Sequence, residues 1–227
     1  MATAARKTNW FAIWITIAVV VIVVAVTGVV IAMNNAATAT ANAGGAKPTA
    51  SNIVDGAIVF GDKGTDTVAT YVDFLCPYCN QFEQTEGSTI KQLVDDGKVK
   101  LELHPVSILD NNSNPAGYSS RAASAMYSVA IHDPANAYAF MQAMYQNQPK
   151  EQSAGLTDDQ IVTIAKNAGV NMTAELQKEI TSNKYQKYAL TQSLPQGATG
   201  TPTVMVNDKL ISVTFDPRKD IVANLTQ

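Results

Sequence analysis

Two regimes of hydrophobic patterning divide the chain. Residues 10–33, WFAIWITIAVVVIVVAVTGVVIAM, form an apolar run interrupted only by Thr16, Thr27 and Gly28 and carrying no charge. At the helical rise such a run spans roughly 36 Å, more than the roughly 30 Å hydrocarbon core, and predicts a tilted transmembrane helix. Past residue 56 the hydrophobic positions recur instead with strand and helix periods. Ala57 to Phe60 and Thr67 to Phe74 are β-branched and aromatic runs of strand length. Val99 to His104 sets Val99, Leu101 and Leu103 against Lys100, Glu102 and His104, the period of a strand with one buried face. Between the last two lies a helical pattern through Phe82, Ile90, Leu93 and Val94 that stops at Gly97, with Gly87 as a point where it could kink.

Helical periods then dominate. Helices are predicted from Pro115 to about His132, from Pro134 to about Gln148 after the cap Asp133, and from Thr157 to Ala168. The third opens on the capping box Thr157-Asp158-Asp159-Gln160 and stops at Gly169. A fourth runs from Thr173 to about Ser193 and is closed by Pro195 and Gly197. Strands follow at Thr203 to Val206 and Leu210 to Val213 around the turn Asn207-Asp208-Lys209. A last helix has Asp216 as cap and Pro217 at its first position. The outer pieces are α/β and the middle is helical, which predicts a mixed sheet domain at 57–227 with a helical insertion at about 115–195.

Charge orients the N-terminal span. Arg6 and Lys7 precede it and the next charge is Lys47, so the positive-inside bias puts residues 1–9 in the cytoplasm and the remainder outside. The Ala-x-Ala sites at 39–43 would suit a cleaved signal peptide, but the run exceeds the roughly 7 to 15 residues of a signal core, which favours a retained anchor in the cell membrane. Residues 34–56 are small and polar with Gly44-Gly45 and Pro48, the composition of a flexible extracytoplasmic tether. A net charge of −3, from 16 basic and 19 acidic residues, offers no basic stripe for nucleic acid.

Cys76 and Cys79 are the two cysteines of the chain, two residues apart. That spacing is a pattern for redox chemistry or half a metal site, not a disulfide framework. A cysteine between strand and helix meets unpaired N–H groups and the positive end of the helix dipole, which stabilise a thiolate. Cys76 is therefore expected as the nucleophile with a lowered pKa. Cys79, a turn into the helix, is expected to be buried, with a normal or raised pKa, and to act as the resolving thiol. His104 and His132 would complete a Cys₂His₂ count, but they fall on different elements without the His-x₃₋₅-His spacing of a structural zinc site, so no metal is expected. His104 is expected at a strand end and His132 at a helix C-terminus. Met126, Met141 and Met144 with Tyr118, Tyr127, Tyr138 and Tyr145 could line a peptide groove; packing of the insertion core is favoured.

The run Phe74-Leu75-Cys76-Pro77-Tyr78-Cys79, followed far downstream by Gly200-Thr201-Pro202-Thr203-Val204-Met205-Val206-Asn207, resembles the thioredoxin superfamily in its DsbA-like branch, over about residues 55–227. The resemblance implies a thioredoxin fold, a central mixed sheet flanked by helices. It also implies a cis Thr201-Pro202 bond packed against the cysteines and presenting backbone to an extended substrate, and a redox potential set by Pro77 and Tyr78. No cofactor beyond the redox-active Cys76–Cys79 disulfide is implied. Thioredoxins carry a buried acid six residues before the nucleophile, where this chain has Thr70. Asp73 lies at an odd strand offset and is not expected to replace it. Since a reductase needs its resolving thiol deprotonated, the absence favours an oxidase. Glutaredoxins also use C-P-Y-C, but their Gly-Gly pair is replaced here by Asn207-Asp208-Lys209.

The expected activity is thus formation of disulfide bonds in reduced, unfolded secreted or envelope proteins. The resemblance further implies reoxidation by a quinone-linked membrane protein of DsbB or vitamin K epoxide reductase type. Two alternatives stay open: the same fold as a disulfide reductase or isomerase, and a tethered binding module with a structural disulfide.

Overall fold

The computed structural model describes residues 45–226. The expected span at 10–33 and the first part of the tether lie outside the described residues. Among those described, no helix is long and apolar enough to cross a membrane.

The expected coil up to residue 56 ends earlier than its composition suggests. Pro48 is buried, and Ile53–Val54 forms strand β1. Asn52 fastens this segment from both ends: its Nδ2 donates to the Ala130 carbonyl at 3.0 Å and its own carbonyl accepts the Val59 N–H at 2.8 Å. Contacts made across the fold order it, which local composition cannot register.

β2 (Ala57–Phe60), β3 (Asp66–Val72) and β4 (Val99–Pro105) follow, and β5 (Thr203–Val206) and β6 (Lys209–Ile211) complete one sheet in the order β1-β2-β4-β3-β5-β6. β3 and β4 are parallel, with Val68 opposite Leu101 and Thr70 opposite Leu103; the other pairs are antiparallel. The parallel pair needs a crossover, which α1 (Pro77–Asp95) supplies. The β5–β6 hairpin turns on Asn207 and Asp208, both at positive φ, as a two-residue hairpin requires. Lys209 therefore belongs to β6 and not to the turn.

α1 runs unbroken through Gly87. The glycine is a close-approach position instead of a kink: a Cβ there would stand 2.2 Å from Glu83 Oε1, and its carbonyl accepts the Tyr138 hydroxyl at 2.9 Å.

The insertion between β4 and β5 consists of α2 (Tyr118–His132), α3 (Pro134–Gln146), α4 (Asp158–Asn167), α5 (Ala174–Thr181) and α6 (Gln186–Ala189). α2 starts three residues later than expected, after a cis Asn114–Pro115 bond and Gly117 at φ 118°. The capping box at Thr157 and Gln160 is formed as expected. The single helix expected over 173–193 is two, separated near Asn183, whose φ is 51° and whose Nδ2 donates to Asp158 at 3.1 Å. Tyr118, Met126, Tyr127 and Met144 are fully buried, and Tyr138, Met141 and Tyr145 nearly so, which makes the methionines and tyrosines core and not groove. α7 (Pro217–Asp220), capped by the Asp216 carboxylate on Arg218 N–H, packs on α1, and after a 3-10 turn at Val222–Asn224 the chain is tied by Thr226 to Asp66 at the start of β3.

Candidate active site

β3 ends at Val72, two residues before the expected Phe74, because Asp73 turns the chain. Its carboxylate accepts the N–H of Leu75 at 2.8 Å and of Leu109 at 2.9 Å. Burial pushes the Asp73 carboxyl up despite these bonds. Asp73 is thus a loop cap that sets the exit of the chain from the sheet. Phe74 and Leu75 bury behind it, and Cys76 arrives as the N-cap of α1 with Pro77 at the first helical position. The ring fixes a helical φ where no N–H partner is needed.

Cys76 and Cys79 are free thiols in this structure. The Cys76 thiol is pulled down to about 6, first by a hydrogen bond from Cys79, then by the Thr201 side chain and the N–H groups of Cys79 and Tyr78, against desolvation. At neutral pH it is therefore largely a thiolate. Cys79 is fully buried, and burial together with the neighbouring Cys76 pushes its pKa well above the ordinary thiol value. The Cys79 hydrogen bond to Cys76 and the burial of Cys79 separate the two sulfurs into a charged and an uncharged partner, the asymmetry expected from their positions. Tyr78, between them, is 63% exposed and projects from this end of the molecule.

The loop before β5 closes the other side. The Thr201–Pro202 bond is cis, and Cys76 Sγ lies 3.3 Å from the Thr201 carbonyl. Four of the six residues singled out from sequence, Cys76, Cys79, Thr201 and Pro202, thus meet across 125 residues of chain. The insertion reaches the same point through Gln148, whose Nε2 donates to the carbonyls of Cys76 at 2.9 Å and Phe74 at 3.1 Å, while its Oε1 accepts from Asn80.

One acidic residue near the thiols was not anticipated. Glu83, one turn beyond Cys79 on α1, shares with it a small internal cavity lined also by Thr70, Tyr138, Met141 and Tyr145. At about 10 Å³ that cavity is at the lower limit for one water. Glu83 also lines an open cleft with Asn80, Gln84 and Gln142. Its pKa is raised to about 7 by desolvation, in spite of hydrogen bonds from Gln142 and Tyr138. Thr70 stands at the position of the thioredoxin acid, and Glu83 is an acid on the helix that lines the same cavity. The i, i+4 spacing from Cys79 was the signal that could have found it.

The histidines lie apart from the thiols. His104 stacks on Tyr71, ring centroids 4.1 Å apart, and burial lowers its pKa to about 4. His132 ends α2 as expected, but its Nε2 faces the Glu179 carboxylate at 3.1 Å.

A family model described as Thioredoxin matches residues 54–223. Reduced DsbA from Mycobacterium tuberculosis is 33% identical, with a TM-score of 0.60, 74% of this chain and 84% of that one being covered. Disulfide bond formation protein D of Bacillus subtilis (strain 168) is 28% identical over 165 residues, 70% of this chain and 71% of the relative. Serine/threonine-protein kinase PknE of Mycobacterium tuberculosis (strain ATCC 25618 / H37Rv) is 31% identical over 124 residues, 53% of this chain. The chain spans 22% of the length of that kinase.

Proposed function

The chain belongs to the thioredoxin family, and from that membership we propose that it is an extracytoplasmic thiol-disulfide oxidoreductase that forms disulfide bonds in other proteins. The observation that carries the reading is the division of labour between the two thiols: Cys76 at about 6 beside the cis Thr201–Pro202 loop, and Cys79 buried and held protonated. A structural disulfide in a binding module has no use for such a split.

The reaction starts from the oxidised pair. A substrate thiolate attacks Cys76 Sγ, the Cys76–Cys79 bond breaks, and Cys79 leaves with the electron pair. The departing thiolate is buried and takes up a proton, which Glu83 is placed to give below pH 7. A second substrate thiolate then attacks the substrate sulfur of the mixed disulfide and expels Cys76 as a thiolate, an easy leaving group at its low pKa. The substrate gains a disulfide and the pair gains two electrons. Pro77 and Tyr78 tune the couple, and Thr201 and Pro202 offer backbone to an extended substrate. Reduced secreted or envelope proteins are the substrates, and a quinone-linked membrane protein of DsbB or vitamin K epoxide reductase type is the reoxidant. Residues 10–33 would hold the domain near it, with no bound cofactor in the domain itself.

One observation removes an argument against the reductase or isomerase direction. Glu83 supplies the buried acid whose absence argued for an oxidase, so that argument no longer discriminates, and direction rests on the thiolate. The deciding experiment is the reduction potential of the Cys76/Cys79 couple equilibrated against glutathione buffers. A value near about −120 mV supports the oxidase, and one near about −270 mV replaces it with the reductase. A pair that neither oxidises a reduced model protein nor reduces an oxidised one leaves only the binding module.

A further inference from the structure

The helical insertion holds a polar cluster that the thiol chemistry does not use. His132 is the last residue of α2, and Glu175 and Glu179 stand one turn apart on α5, which packs against it. The imidazole nitrogen and one oxygen of each carboxylate all lie within 4.8 Å of one another. Glu175 is at the surface, whereas Glu179 is only 6% exposed. The Lys184 ammonium and His132 Nε2 both take Glu179 Oε1. Oε2 is buried and has no hydrogen-bond partner. A carboxylate oxygen out of water without a partner is costly, and the Glu179 carboxyl is held below the usual range by Lys184 and His132, hence ionised.

We propose that His132, Glu175 and Glu179 form a binding site for a zinc-class divalent cation that clips α2 to α5. The donor set decides the class: one imidazole with two carboxylates suits zinc, whereas calcium and magnesium take oxygen alone. Zinc binds these ligands at roughly 2.0 to 2.2 Å, which puts tetrahedral ligand atoms roughly 3.4 Å apart. Closing from separations of up to 4.8 Å to that size needs a movement of up to about 1.4 Å, which the exposed Glu175 side chain can make. Lys184 keeps Oε1 and the metal takes Oε2. His132 offers the Nε2 lone pair and carries its proton on Nδ1. Two carboxylates against one ammonium leave a charge of −1 for the cation to meet. Three protein ligands leave a fourth position for water.

Cobalt(II) titration of the full chain in its oxidised form tests this, because the Cys76–Cys79 disulfide then removes the thiols as competing ligands. The expected result is one cobalt per chain with visible absorption of a tetrahedral or five-coordinate centre, displaced by zinc. Glu175→Gln, at an exposed position that leaves folding intact, is expected to weaken binding at least tenfold, and His132→Ala to abolish the band. Zinc is expected to raise the melting temperature of the wild type and not of Glu175→Gln, with disulfide exchange unchanged. No saturable cobalt signal, or binding unaffected by Glu175→Gln, overturns the proposal.

Discussion

The Gln148 side chain donates to the Cys76 carbonyl at 2.9 Å across 72 residues of sequence, and to the Phe74 carbonyl with the same nitrogen. One amide from the insertion thus fixes both sides of the turn that presents the nucleophile. Gln148→Ala leaves the Phe74 carbonyl without its donor, while the Cys76 carbonyl keeps the Cys79 and Asn80 N–H groups, and one unmet backbone acceptor costs about 1 to 3 kcal/mol. Chemical denaturation is expected to show a loss of that size, with the Cys76 alkylation profile broadened or shifted because the helix start is no longer held. Unchanged stability in Gln148→Ala would mean that water replaces the amide at no cost.

Glu83 is tested by Glu83→Gln, which keeps its size and its contacts with Gln142 and Tyr138. Without a proton to exchange, the step that breaks or makes the bond to Cys79 is expected to slow about tenfold near neutrality. It is also expected to lose its ionisation near pH 7. Alkylation of Cys76 is expected to stay the same. Stopped-flow fluorescence of mixed-disulfide turnover across pH 5 to 9 separates the two steps.

Gly87→Ala probes the same carboxyl from below. In an ordinary helix interior the change is worth about 1 kcal/mol in favour of alanine. Here the new Cβ would fall 2.2 Å from Glu83 Oε1, so the side chain swings out and gives up its bonds to Gln142 and Tyr138. The expectation is a melting temperature near that of the parent with resolving kinetics resembling Glu83→Gln. Parental kinetics would show that the carboxyl position is not used.

The glycine shows where sequence reading stops. The cysteine pair, the proline at the helix start, the capping box at Thr157 and the strands at 57–60 and 203–206 are local signals, each carried by residues within a few positions, and each was legible. The cis Thr201–Pro202 bond came through resemblance. What escaped depends on contacts between distant segments: Asn52 on Ala130, Gln148 on Cys76, and the break at Asn183 where Asp158 takes its side chain. Glu83 lies between these cases. Its spacing from Cys79 is local, but that its neighbours Tyr138 and Gln142 bury it is a fact of the insertion.

Glu86 carries a pH dependence of stability. It is fully buried on α1, and neither carboxyl oxygen has a hydrogen-bond partner. Desolvation, with Asp220 and Asp216 nearby, raises its pKa to about 7. Below the unfolded value near 4.5 the group is protonated in both states and contributes no slope. Between there and 7 the unfolded chain ionises while the fold holds the proton, so stability falls as pH rises. Glu86→Gln is expected to remove that fall and gain on the order of 2 kcal/mol at pH 8 relative to the parent. Denaturation midpoints at pH 5 and pH 8 for both proteins measure it; parallel shifts would place the pH dependence elsewhere.

The low pKa of Cys76 has Cys79 as its first cause, ahead of Thr201 and the backbone N–H groups of the helix start. Cys79→Ala removes the S–H donor while leaving Pro77, Tyr78 and the helix N-terminus in place. The remaining donors still favour the thiolate, so the pKa is expected to rise from about 6 without returning to an ordinary thiol value. Thr201→Val is expected to raise it less, since it removes a smaller contribution. Each unit of rise is about 1.4 kcal/mol of lost thiolate stabilisation. The same loss makes Cys76 a poorer leaving group from a mixed disulfide, so both variants are expected to release substrate more slowly at neutral pH. The rate of iodoacetamide alkylation against pH gives the ionisation directly. A Cys79→Ala profile that still titrates near 6 would assign the stabilisation to the helix terminus, and the order of effects in the two variants would reverse.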